Sequence, residues 1–187
     1  ILSPNKFFNL SEVILRPYDT KETILKKIES ATIIGCVQAT LTDFKFISKE
    51  FKNNCEDERL LGVSLTGLRD HPILGRVSKD AEILLNRMRE QAIKTAKSWS
   101  ELLGINMPAA ITCVKPSGTV SQMVDTSSGM HTRFSKYYIR RVRVTATDSL
   151  CKFLIDCGVP HNPDNGENYN NPSTYVFDFP IKSPDTA

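Results

Sequence analysis

ITCVKPSGTVSQM, residues 111–123, runs from the β-branched residues Ile111, Thr112 and Val114 into Pro116-Ser117-Gly118-Thr119, and then into a helical pattern. A strand that turns on a glycine into a helix leaves backbone N–H groups pointing outward at the start of that helix, where its dipole favours negative charge. Ser117 and Thr119 add hydroxyl donors. The junction has the outline of a phosphate cradle, without the lysine that a Walker loop fixes in place. Lys115, just before it, is positioned to lean toward an anion or toward water. Taken alone, the junction reads more readily as an ordinary turn with a helix cap, the commoner fate of such a sequence.

Working outward, the apolar, β-branched run Phe7–Leu15 predicts a strand ended by Arg16-Pro17. Asp19 and Glu22 predict a helix cap, and Ile24, Leu25, Ile28, Ala31 and Thr32 recur at helical spacing toward Gln38. The charged segment Ser48–Arg59 predicts a second helix. It leads into Leu60–Leu68, a short apolar run punctuated by Gly62 and Gly67 that suits a buried strand, although periodicity alone leaves a buried helix open. Ser78 caps the clearest helix, with Ala81, Leu84, Leu85, Met88, Ala92, Ala96, Trp99 and Leu103 on one face and Gly104 past its end. After Met123 come the polar loop DTSSGMHTR, an alternating strand in YYIRRVRVTAT, a helix over Asp148–Asp156, a surface loop from His161 to Ser173, and a strand from Thr174 to Phe179 ending at Pro180. Strands alternating with helices predict an α/β fold with parallel pairing. Neither a repeat nor a linker divides the chain, so residues 1–187 read as a single partial domain. It opens on Ile1 and stops after a strand-like run, which reads as an internal piece of something larger.

The composition narrows the classes of function. The chain has 187 residues, 40% hydrophobic and 24% charged with a net charge of +3, a globular balance that favours neither direct DNA binding nor a membrane surface. No apolar run nears the roughly 20 residues that span a bilayer, and a cytoplasmic location is the expectation. The five cysteines, Cys36, Cys55, Cys113, Cys151 and Cys157, show neither Cys-x-x-Cys nor a nearby histidine pair. They predict reduced packing thiols and no protein metal site.

In order along the chain, NLSEV, ERLLGVSLTGL, VKPSGTVSQ, SSGMH and YYIRRVR together resemble the large catalytic chain of ribonucleotide reductases, most nearly the adenosylcobalamin-dependent ribonucleoside-triphosphate reductases. The resemblance runs from Asn9 to about Pro160. It implies a ten-stranded α/β barrel, of which this chain is the C-terminal part, and a role in reducing ribonucleoside triphosphates to deoxyribonucleoside triphosphates. Ser117, Gly118, Thr119 and Val120 match the loop that receives the substrate phosphates, and His131 matches a nearby substrate loop, with Thr132 where the family has proline. The implied cofactor is adenosylcobalamin, with no contact residue assignable in this chain. The implied partners are the ribonucleotide and a thioredoxin-type or other reductant. In that chemistry a cysteine thiyl abstracts the ribose 3′ hydrogen, the 2′ hydroxyl leaves as water, and a cysteine pair supplies two electrons. The radical cysteine belongs to a loop expected just before Ile1, so no catalytic residue is assigned here.

One departure bears on that chemistry. A redox cysteine normally precedes the Asn-Leu-x-Glu-Val segment, and this chain has Phe8 there. A different reductant, an inactive chain and an error in the sequence are all compatible with it. Phe8 keeps open one alternative, a non-catalytic nucleotide-binding relative; the other is the same barrel in a metal-dependent ribonucleoside-diphosphate reductase large subunit, against which the KPSGT and SSGMH segments argue. His71 and His161 read as surface histidines, Cys151 and Cys157 as packing residues, and Trp99 as part of its helix's apolar face. Arg140, Arg141 and Arg143 suit either phosphates or the solvated face of a strand.

Overall fold

The computed structural model describes residues 4–185, in two compact units that part between Arg133 and Phe134. In the first, β1 (Asn9–Ile14) lies parallel to β2 (Leu61–Thr66), with Val13 opposite Leu65 and Glu12 opposite Ser64. Between them in sequence run α1 (Lys21–Gln38) and α2 (Lys49–Glu58). α3 (Lys79–Leu103) follows β2, capped by Ser78 and stopped by Gly104 as its sequence predicts. Helical spacing puts Ala81, Leu84, Met88 and Ala92 on one face of α3. They bury against Ile24, Ile28 and Ala31 of α1 and against Val13, Leu15 and Val63 of the strands.

The cap of α1 differs from the predicted one. Thr20 is the N-cap and exchanges hydrogen bonds with Thr23, while Asp19 accepts the backbone N–H of Arg16 at 2.8 Å and pairs with Lys27 at 2.6 Å. Thr20-x-x-Thr23 supplies the same reciprocal pairing as a Ser/Thr-x-x-Glu box, which frees the aspartate to brace the turn before it. The strand predicted at Ile111–Val114 is only partly formed. Leu61 and Val63 donate to the carbonyls of Ala110 and Ile111, and Cys113 donates back to Val63, which makes a single parallel bridge at Thr112. The segment flanks β2 on the side away from β1 and delivers the chain to α4 (Thr119–Met123), one short turn and a half of helix.

Parallel pairing does not extend to the second unit. There β3 (Tyr137–Thr145) and β5 (Thr174–Lys182) pair antiparallel over nine residues each, and β4 (His161–Pro163) adds to the other side of β5. α5 (Ser149–Asp156), capped by Asp148, packs Cys151 with Val144 and Phe177. Alternation with one wet face is the mark of an antiparallel sheet, and β3 shows it. β5 runs through Pro180 instead of ending there. β4 pairs only as far as Phe177, and Asp178 donates to Pro160 just beyond it. Two residues on, the missing N–H of Pro180 faces the side where β4 has already ended, the edge position at which proline is tolerated.

Candidate functional site

The loop from Lys115 to Val120 and the loop from Asp125 to Arg133 are held together. Ser117 is fully buried, and its hydroxyl oxygen accepts the backbone N–H of Ser121 at 3.1 Å. The carbonyl of Ser117 accepts the hydroxyls of Ser121, at 2.7 Å, and of Ser128. Ser117 therefore works inside the loop as its brace. Gly118 and Thr119 are exposed and Val120 is half-buried. By position, the N–H groups of Thr119 and Val120 in the first turn of α4 have no intrahelical acceptor.

Gly118 has φ −78°, so the turn itself does not require glycine, and a Cβ built there would meet nothing within 4 Å. What the absent side chain leaves is open space at the residue that precedes those two amides. Gly129, by contrast, has φ +56°, and an added Cβ would stand 2.8 Å from the carbonyl oxygen of Lys115. The second loop thus presses its backbone against the first at a point where only glycine fits.

Beneath both loops the end of β2 supplies the anchors. Gly67, at φ +77°, turns the chain where a Cβ would lie 2.4 Å from the Leu15 carbonyl oxygen. Its N–H donates to Ser127 O at 2.9 Å. The buried hydroxyl of Thr66 donates to Ser127 O at 3.1 Å and accepts from Gly129 N at 3.0 Å. Asp70, 1% exposed, accepts from Ser127 N at 2.8 Å and takes both Nε and Nη2 of Arg133, at 3.0 and 2.9 Å. Arg133 reaches on to the Asp125 carboxylate at 3.2 Å. A bidentate guanidinium pair so enclosed fixes geometry as well as charge. Asp70, Arg133 and Thr66 were not singled out by sequence. The signal was present as an arginine closing the Ser/Gly loop and an aspartate just after Gly67.

His131 is exposed at the end of this loop and donates its backbone N–H to Ser128 O at 2.9 Å. Lys115 pairs with Glu12 at 2.9 Å, which resolves its two sequence options in favour of a third. The Cys113 thiol nearby is pushed above its ordinary range, chiefly by burial, with Lys115 pulling it down and Glu12 adding to the rise.

Two histidines differ from expectation. His71 is 2% exposed: its Nδ1 accepts the backbone N–H groups of Ile73 and Leu74, and its Nε2 donates to Asp19 O at 3.2 Å, so it caps a turn. His161 is half-buried against Tyr175 and Phe177. Cys151 is buried, as a packing residue should be, whereas Cys157 is exposed. Arg141 pairs with Asp178 and Arg143 with Asp164, while Arg140 meets Tyr138, so these arginines are engaged within their own unit. Phe8 is 40% exposed just ahead of β1, while Phe7 meets Phe44 edge to face and stacks on Phe51. Among the described residues no cluster of histidine, cysteine or carboxylates could hold a metal ion, and no helix is long and apolar enough to cross a membrane.

No family model matches the chain. It is 32% identical over 149 residues, 67% of its length, to an adenosylcobalamin-dependent ribonucleoside-triphosphate reductase of Lactobacillus gasseri. It is 34% identical over 105 residues, 56% of its length, to the protein of the same name from Lactobacillus leichmannii. The chain spans about a fifth of the length of the first relative and 14% of the second. In fold it is similar, with a TM-score of 0.79 at 23% identity, to a crystal structure of a B12-dependent class II ribonucleotide reductase, over 99% of this chain and 28% of that one. Over two-thirds of its sequence and nearly all of its fold, the chain is a relative of one segment of the adenosylcobalamin-dependent ribonucleotide reductases.

Proposed function

We propose that this chain is a segment of a radical enzyme that reduces ribonucleoside triphosphates to deoxyribonucleoside triphosphates. Residues 1–187 form a partial domain, the C-terminal part of its ten-stranded α/β barrel. The observation that carries this reading is the braced loop at 115–120: two first-turn amides without an intrahelical acceptor, the exposed Thr119 and open space at Gly118, at the C-terminal end of a strand segment parallel to β2. In α/β sheets ligands bind at that end of the strands. The substrate phosphates lie against Gly118, Thr119 and Val120, with Ser117 holding the turn, and His131 borders the substrate loop. The enzyme works in the cytoplasm with a thioredoxin-type or other reductant.

Adenosylcobalamin, when bound, supplies the radical. The open hollows at β1 and α1 and beside Thr40–Phe44, about 520 and 750 Å³, are of the size that holds drug-sized ligands, about 300–1,000 Å³. A corrinoid with its nucleotide tail is larger, so neither fits it and no residue of this chain is assigned to it.

Phe8 favours a second reading, a nucleotide-binding relative without catalysis, because a disulfide needs two sulfurs. The test is deoxynucleotide formation by the full-length protein with adenosylcobalamin, given a dithiol or formate, in the wild type and in Phe8→Cys. Turnover of the wild type with formate, or of Phe8→Cys with dithiol, supports the reductase. No deoxynucleotide under any condition supports the second reading.

A further inference from the structure

β1, β2 and residues 110–113 turn one face to α1 and α3. Alternation from the pairs Leu10–Gly62, Glu12–Ser64 and Val63–Thr112 places Leu10, Glu12, Gly62, Ser64, Cys113 and Lys115 on the other. Leu10 lies across Gly62 toward Cys113: a Cβ at Gly62 would be 2.4 Å from Leu10 Cδ2 and 3.1 Å from Cys113 Sγ. That fills the face near the N-terminal ends of the strands. Glu12 and Lys115 stand one step nearer the C-terminal ends, and Ser117 begins the candidate loop two residues after Lys115.

The Glu12 side chain is 7% exposed. Its Oε2 receives Lys115 Nζ at 2.9 Å, but its Oε1 is buried with no hydrogen-bond partner among the described residues. Half of a buried carboxylate left unmatched is costly, and the lysine already satisfies the other half, so the free oxygen calls for a donor from outside the chain. A phosphate is no such donor and would repel it. The nearest donors on a nucleotide whose phosphates rest at the loop are the sugar hydroxyls.

Resting on the phosphate assignment above, we propose that Glu12 is the sugar-facing half of the site, its free oxygen accepting a hydrogen bond from a ribose hydroxyl. Lys115 then couples the two halves, paired with Glu12 at one end and leading into the phosphate loop at the other.

The test is equilibrium binding of CTP and 2′,3′-dideoxy-CTP to the full-length protein, read as the ratio of the two affinities. A hydrogen bond to a charged acceptor makes wild type prefer CTP by about 10- to 100-fold. The paired variant Glu12→Met with Lys115→Met removes both charges at similar volume and should bring the ratio to near one. Glu12→Gln, which keeps an acceptor, should retain part of the preference and remains informative if the paired variant does not fold. A wild-type ratio near one, or a ratio unchanged in folded Glu12 variants, overturns the proposal; a carboxylate satisfied by another protein segment would produce the unchanged ratio. Cytidine separates the two readings. If Gly118→Val binds CTP no more weakly than wild type while cytidine binding is also unaltered, the phosphate assignment fails, whatever the Glu12 ratio shows.

Discussion

The two units handle polar groups in opposite ways. Residues 4–133 bury Ser64, Thr66, Asp70, Ser117, Ser121 and Ser127, most of them bonded to loop backbone at the ends of the parallel strands. Residues 134–185 keep their charges outside, in pairs such as Arg141 with Asp178, where the arginine side chain is 71% exposed. A buried polar network is tolerated only when nearly every member is satisfied, and it then specifies one geometry. An exposed pair is screened by solvent and specifies little. The contrast marks the first unit as the one in which buried hydrogen bonds set the loop conformation, although the Thr126 and Ser127 hydroxyls there have no partner among the described residues.

The largest expected effect comes from breaking the enclosed pair. Asp70→Ala removes the buried carboxylate that takes two hydrogen bonds from Arg133, whose side chain is 4% exposed, and should cost about 3–5 kcal/mol in denaturant unfolding of the full-length protein, with the exposed Asp125 carboxylate as the arginine's remaining ion pair. Arg141→Ala in the second unit should leave the same curve unchanged. Equal effects of the two would erase the distinction between the units.

Thr66→Val comes next. It removes the hydroxyl that joins Ser127 O to Gly129 N, leaving a buried N–H unmet at a cost of about 1–3 kcal/mol. Because Gly129 abuts Lys115, amide exchange should also quicken at residues 115–121. Loss of stability without faster exchange there would mean that the two loops are not coupled.

A smaller contrast separates two neighbouring rings. The two are about equally exposed, 37% and 40%, but Phe7 packs with Phe44 and Phe51 at centroid distances of 5.6 and 6.0 Å, whereas Phe8 meets no ring among the described residues. Phe8→Cys should therefore melt close to wild type and Phe7→Ala clearly below it. The reverse order would undermine the use of Phe8→Cys as a test of reductant.

The smallest effect is on pH dependence. Asp164 is held below the ordinary carboxylate range by the hydrogen bond from Arg143, and Glu167 by those from Ser173. Depressed folded values mean that their contribution is present above the unfolded carboxylate range and lost as pH falls through the lowered values. Acid should slightly loosen the 164–173 loop as pH falls through those lowered values, and Ser173→Ala should remove the hydroxyl's part of Glu167's share while the backbone N–H bond remains. NMR titration of residues 164–173 measures it.

Much of this fold was legible in the sequence. α3 was marked at both ends by Ser78 and Gly104 and along its length by a 3.6-residue apolar stripe, all local signals. The half-formed strand at 111–114 was less so, because pairing depends on β2 and not on propensity. The antiparallel second sheet was written in the alternation of β3, but parallel pairing was carried over from the first half. The loop at Ser117–Val120 was legible as a candidate; its buttress was not. Asp70, Thr66 and Arg133 come together from three separate segments, and His71 gives no hint in sequence that Ile73 and Leu74 enclose it.

On the proposed reading, Gly118, Thr119 and Val120 receive the phosphates of a nucleotide. Gly118→Val tests it most directly, since the open space at that position lets the valine in without striking the protein. In the full-length protein, wild type should bind CTP well above cytidine, and Gly118→Val should remove most of that advantage while cytidine affinity and melting temperature stay put. Undiminished preference for CTP in the folded variant would contradict the account.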